Sequence, residues 1–166
     1  MKKIITVITL LVVSATYCSA QKKKASMAGE YKYESECMGV EGDGSQTLKA
    51  WGTGNSKNDA VEQAKKNAVR DVLFKGIRDG KSECNVKPVI NEVNAQEKYE
   101  DYFNKFFSDD GPYKNFISMN DEPISVVGGK VSDRKRMADG VQYGVIVQVR
   151  RAELKQQMIK DNILVP

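Results

Sequence analysis

The 166-residue chain has no histidine, three cysteines, four prolines and a single tryptophan, and these shortages close several classes of function. Histidine is the side chain that most often moves protons near neutral pH. Without it, a nucleophile would depend on Lys, Asp or Glu as its base. The carboxylate pairs Glu100-Asp101, Asp109-Asp110 and Asp121-Glu122 sit in polar surroundings, where a solvated surface is the expectation. Two or three cysteines cannot close a tetrahedral zinc site without carboxylates whose positions nothing in the sequence marks. No catalytic, cofactor-binding or metal-binding residues are expected. Long apolar runs are also scarce. Beyond the first twenty residues none approaches the roughly 18 needed to cross a bilayer.

Those first residues form a leader. Lys2 and Lys3 precede the apolar stretch "IITVITLLVV", which gives way to small residues, the arrangement of a secretory signal. Cleavage after Ala20 is the favoured chemistry. Lipid attachment at Cys18 is the alternative, but it would set the bulky Tyr17 where a small residue is wanted. The expected organisation is a signal peptide over 1–20, a lead-in over 21–28 ("QKKKASMA") that carries no fold, and one domain over 29–166. The mature chain of about 146 residues can bury a core unaided. Loss of Lys2 and Lys3 leaves about 24 basic against 22 acidic residues, so charge supplies no footing for nucleic acid. The expected location is periplasmic or secreted, with membrane association only if Cys18 is lipidated.

The mature chain retains Cys37 and Cys84. An even pair in an oxidising compartment reads first as a disulfide. Closing about 46 intervening residues would restrict the unfolded chain by several kcal/mol. The alternative is two buried thiols.

Periodicity gives the architecture. "EYKYESECMGV" and "QTLKAWGTG" read as two strands about the turn "EGDGS", with Tyr31, Tyr33, Ser35 and Cys37 on one side. Ser56 then caps a helix to about Lys75, with Asp59 three residues on. Its alanines Ala60, Ala64 and Ala68 form a ridge narrow enough to sit close to a sheet. Residues 80–89 look irregular. From Asn94 to Phe107 a second helix carries Tyr99, Tyr102, Phe103, Phe106 and Phe107 at helical spacing, and Tyr113 and Phe116 follow. This stripe either closes over the core or forms an exposed partner or ligand surface. "PISVVGGKVSDRKR" reads as a strand interrupted at Gly128-Gly129, "MADG" as a turn, and "VQYGVIVQV" as an alternating strand with Val141, Tyr143, Val145, Val147 and Val149 on one face. A short helix from Ala152 to about Asp161 ends the chain. The order ββα, helical excursion, ββα predicts an α+β, two-layer domain with a mostly antiparallel sheet and helices on one face.

The stretch "AWGTGNSKNDAVEQAKKNAVRD" raises the question of a phosphate loop. Lys57 stands where a dinucleotide fingerprint needs its third glycine, and the Walker pattern is absent. Amides at the helix start with Ser56 and Lys57 could hold a sulfate or phosphorylated headgroup. The structural alternative is that Gly52 and Gly54 permit a sharp strand-to-helix turn beside Trp51 and Ser56 caps the helix. The basic run Arg134-Lys135-Arg136, with Arg150 and Arg151, could meet an acidic envelope polymer or be a solvated face.

Gly52, Gly54, Ser56, Ala60, Ala64 and Ala68 also carry a family resemblance. A glycine-x-glycine turn, a serine cap and alanines spaced by four resemble the signature of small exported bacterial proteins related to the 20 kDa outer-membrane lipoprotein and to the N-terminal domain of flagellar assembly protein T. "DGVQYGVIVQV" is similar to that family's last hairpin strand, so the resemblance covers about half the mature chain. It implies a cell-envelope protein that works by contact, and it offers no catalytic residues. The lipid-attachment sequence of the lipoprotein members is not matched. Two functions follow as expectations: a non-enzymatic envelope or secreted module that binds an envelope protein through the aromatic helix or a free sheet edge, or a carrier or enzyme with an aromatic-lined pocket near residues 99–116.

Overall fold

A computed structural model describes residues 34–119, 134–137 and 140–165. In chain order the elements are strands β1 (Glu36–Val40) and β2 (Gln46–Gly54), helix α1 (Lys57–Arg70) continued by a π-helical turn (Asp71–Lys75), and the two-residue strand β3 (Asp79–Gly80). Helices α2 (Ala95–Lys98) and α3 (Glu100–Phe106), a 3-10 turn (Pro112–Phe116) and β4 (Ile117–Met119) come next. Strands β5 (Arg134–Met137) and β6 (Gly140–Val149) and helix α4 (Arg151–Lys160) complete the set. This is an α+β fold. The sheet order is β3-β1-β2-β6-β4, with β5 also on β6. Only the β1 and β3 pair is parallel among the described strands.

The first hairpin closes as its turn residues require. Glu41 N–H donates to the Ser45 carbonyl at 2.9 Å, and Gly44 takes a φ of 81°, which glycine adopts without steric cost. β2 is the centre of the sheet, registered with β6 from Gln46↔Val149 to Gly54↔Val141. That register sets Leu48, Ala50 and Gly52 beside Val147, Val145 and Tyr143 on one face, and Leu48, Ala50, Val145, Val147 and Val149 are buried there. The valine alternation expected for this strand is present at Val145, Val147 and Val149. Tyr31 and Tyr33 lie outside the described residues, as do Gly128-Gly129 and the centre of "MADG".

α1 lies on that face. Ser56 Oγ accepts from Asp59 N–H at 3.2 Å and Asp59 Oδ2 accepts from Ser56 N–H at 3.0 Å, a full capping box. Ala60, Ala64 and Ala68 are fully buried. A Cβ at Gly52 would overlap the Ala60 carbonyl oxygen and the Ala64 amide nitrogen, and one at Gly54 would crowd Asp59 and Ala60. This corrects the expectation for the glycine-x-glycine pair. Both glycines belong to β2, neither has positive φ, and they are needed because helix backbone rests directly on strand backbone. The spacing of two puts both on the helix-facing side of the strand.

β4 and β5 occupy one edge of β6. Met119 pairs with Val147 and Arg134 with Tyr143, so both strands run the same way and only Gly144, Val145 and Ile146 separate their registers. Residues 120–133 connect them in sequence and lie outside the described residues.

Candidate functional site

Cys37 on β1 and Cys84 in the segment after β3 form a disulfide with Cα atoms 5.9 Å apart, and both residues are buried. The bridge is one of several fixings of residues 81–94. Lys81 N–H donates to the Cys37 carbonyl at 2.9 Å, Val89 N–H to Val72 at 3.0 Å and Ile90 N–H to Leu73 at 2.8 Å. The carbonyl of Lys87 accepts from Arg151 Nη2 at 2.9 Å. Two glycines let the chain approach this closely. Gly76 (φ 75°) abuts the Val86 carbonyl and Gly80 (φ 89°) abuts the backbone of Cys37, leaving no room for a Cβ at either.

A loop so fastened would ordinarily turn its apolar groups inward, and part of it does: Val89 and Ile90 are buried. Val86 and Val93 do the opposite. They are 54% and 96% exposed. Beside Val93 the loop and the end of the π-helical turn enclose an open depression of about 430 Å³, with Phe74, Pro88 and Ile90 contributing apolar lining and Glu92 and Glu97 carboxylates. Sequence reasoning found Cys84 and missed the rest of this site. Its irregular segment has no periodicity that could separate inward from outward valines.

The aromatic stripe is placed differently from the surface reading. Phe103, Phe106 and Phe107 are buried, and only Tyr99 and Tyr102 keep partial exposure. Phe103 meets Phe74 edge to face at 4.9 Å, and Phe106 stacks on Phe116 at 6.0 Å. As a partner or ligand surface the stripe is therefore corrected: three of its rings are core, because the face that carries the spacing closes against Phe74 of the π-helical turn and Tyr113 and Phe116 of the 3-10 turn. The helix also breaks at Tyr99 into α2 and α3. Its hydroxyls are spent on structure. Tyr102 Oη donates to Asp161 Oδ2 at 2.6 Å and Tyr113 Oη to Glu62 Oε2 at 2.9 Å. Burial, then the carboxylate acceptor, pushes both phenols well above the ordinary tyrosine range. Neither can serve as a base near neutral pH.

Ser56 and Lys57 stand at the other end of α1. The Asp59 carboxylate already occupies the Ser56 amide there, and Lys57 Nζ lies 5.9 Å from the Tyr143 ring centroid. The chain's own anion thus meets the helix dipole. Asp109 pairs with Lys66 at 2.8 Å and Asp110 with Lys114 at 3.4 Å, while Asp121 and Glu122 lie outside the described residues. Arg150 donates to the Asn115 carbonyl and lies 3.3 Å from Glu153, and Arg151 serves Val72 and Lys87.

One group was invisible to sequence reasoning. Asp71, 2% exposed, begins the π-helical turn, and its Oδ2 accepts from Ser35 Oγ at 2.7 Å and Ser35 N–H at 3.3 Å. Lys75 Nζ lies 3.5 Å from Oδ1. Burial pushes the Asp71 carboxyl up, against the pull of Ser35 and Lys75. It pins the start of β1 to the end of α1.

Among the described residues no group of three or more Cys, Asp or Glu is placed to hold a metal ion, and no helix is long and apolar enough to cross a membrane. No protein-family model, curated protein or solved structure matches the chain.

Proposed function

We propose that the protein is an exported, non-enzymatic module of the bacterial cell envelope that acts by contact with another protein, and that the disulfide-fastened loop over residues 81–97 makes the contact. The observation that carries this is a fixed backbone presenting outward aliphatic side chains, Val93 above all. Exposed apolar groups gain nothing in a free monomer, whereas a preorganised loop loses little conformational freedom when a partner covers them. The disulfide suits an oxidising compartment, in line with the leader sequence. The resemblance to small exported envelope proteins supports the same class, and the leader sequence, with Tyr17 before Cys18 and small residues ending at Ala20, favours a periplasmic or secreted protein beginning at Gln21.

The depression beside Val93 gives the carrier reading a foothold, because its volume of about 430 Å³ lies in the range of small-ligand pockets, about 300–1,000 Å³. The aromatics of residues 99–116 do not line it. Contact is the better supported use, since the depression is open and exposed Val93 is among the residues that line it.

A photo-crosslinking residue in place of Val93, activated in the native envelope, tests the proposal. A discrete protein adduct from position 93, absent when the same residue replaces exposed Lys155 on α4, is expected. No adduct from position 93 overturns it.

A further inference from the structure

The depression beside Val93 has a chemistry of its own. Phe74, Pro88, Ile90 and Val93 supply the apolar part of its lining, and the amides Asn91, Asn94 and Gln96 with the acids Glu92 and Glu97 supply the polar part. Glu92 is already engaged, since Lys98 Nζ lies 2.8 Å from its Oε1. Glu97 carries no ion pair among the described residues. The site therefore offers, beside the apolar groups of Phe74, Pro88 and Ile90, one carboxylate without an ion pair among the described residues.

We propose that this depression receives a lysine or arginine side chain of the partner protein, with Glu97 as the recognising carboxylate. The proposal rests on the contact reading above and names the chemistry of the partner. A long basic side chain is amphipathic: its methylene stem covers apolar surface while its head remains at the polar margin. Here the stem would lie on Phe74, Pro88 and Ile90 and the head would reach Glu97, a charge-assisted hydrogen bond. An acidic partner would meet like charge. A wholly apolar one would bury carboxylates without a partner, which is costly. The hydrogen bonds that tie the backbone of Val89 and Ile90 to Val72 and Leu73 hold this part of the lining in place before the partner arrives, so little ordering is left for binding.

The probe is an acetylated, amidated Gly-Arg-Gly-Arg-Gly peptide, titrated into isotope-labelled full-length mature protein and followed by amide chemical shifts, with Gly-Glu-Gly-Glu-Gly as its counterpart. Saturable shifts confined to Phe74 and residues 88–97 are expected for the arginine peptide alone. Affinity should fall roughly three- to five-fold in Glu97→Gln, as for loss of a partly exposed ion pair, and further in Glu97→Lys. It should be unchanged in Glu153→Gln on α4. Because Glu97 is exposed, these variants should keep the fold, which amide spectra unchanged outside the neighbourhood of position 97 would verify. Shifts scattered over the acidic surface, or an affinity indifferent to Glu97→Gln, overturn the proposal. The envelope cross-link from position 93 separates the two ideas. A cross-link undiminished by Glu97→Gln overturns this proposal and leaves the contact reading standing, whereas no cross-link from otherwise native protein overturns both.

Discussion

Gly52 lies directly beneath Ala64, so close that a Cβ on the glycine would overlap the Ala64 amide. Strand and helix backbones are in contact there, and the small residues of both elements form one interface. Ala64→Leu should overpack it by about 1–3 kcal/mol. Gly52→Ala should also destabilise, because its obstruction is backbone and cannot move as a flexible side chain would. Lys57→Ala, at the exposed helix start, should be nearly silent, with no phosphate-dependent stabilisation to lose. Thermal melts check all three. A phosphate-induced rise in Tm that vanishes in Lys57→Ala would restore the anion site.

Cys37→Ser, Cys84→Ser or both together should lower stability by about 4 kcal/mol, the loop-entropy value for the 47-residue separation. Titration of denatured, unreduced wild type should find no thiol at either position. Because both cysteines are buried, the native bridge should react with a dithiol reductant far more slowly than the denatured one. Rapid reduction of folded protein would contradict that burial.

Much of this fold was legible in the sequence because its signals are local. Ser56 with Asp59, the alanines at intervals of four, and the valines at intervals of two each state an element and the side it buries. The glycine pair was legible as special but not for its reason: a sequence shows that a Cβ is missing, not which backbone fills the space. The aromatic stripe gave the helix without its orientation, since periodic rings pack a core and a groove with equal ease. The loop over 81–97 was the least legible part. Its order comes from long-range ties to Cys37, Val72, Leu73 and Arg151, which leave no period in the chain. Asp71 had no signal either, as its partner Ser35 is 36 positions away.

The native protein should begin at Gln21 and carry no lipid. Tyr17 before Cys18 and the small residues ending at Ala20 motivate this. Intact mass of protein isolated from its own cells decides it. A diacylglyceryl adduct on Cys18 would move the protein to a membrane surface and change the geometry of any contact made by Val93.

Asp71 should make stability fall as pH rises. Its carboxyl is pushed above its ordinary value of 3.8, chiefly by burial, while Ser35 and Lys75 pull the other way. Between the unfolded value and the higher native one the folded chain binds more protons than the unfolded chain, so stability declines as pH rises through that window. Its contribution is complete below about pH 3.8 and lost above the native pKa. Asp71→Asn keeps an acceptor for Ser35 Oγ and N–H without a buried charge. Relative to wild type, the variant should gain stability from pH 4 upward and hold that gain at pH 7. Asp71→Ala, which leaves the Ser35 donors unpaired, should be less stable than Asp71→Asn across the range. Urea unfolding of the three proteins from pH 3 to pH 8 measures these differences. A wild-type to Asp71→Asn difference that stays constant over that range would show that the carboxylate is as well solvated by Ser35 and Lys75 as by water, and the burial argument would fail.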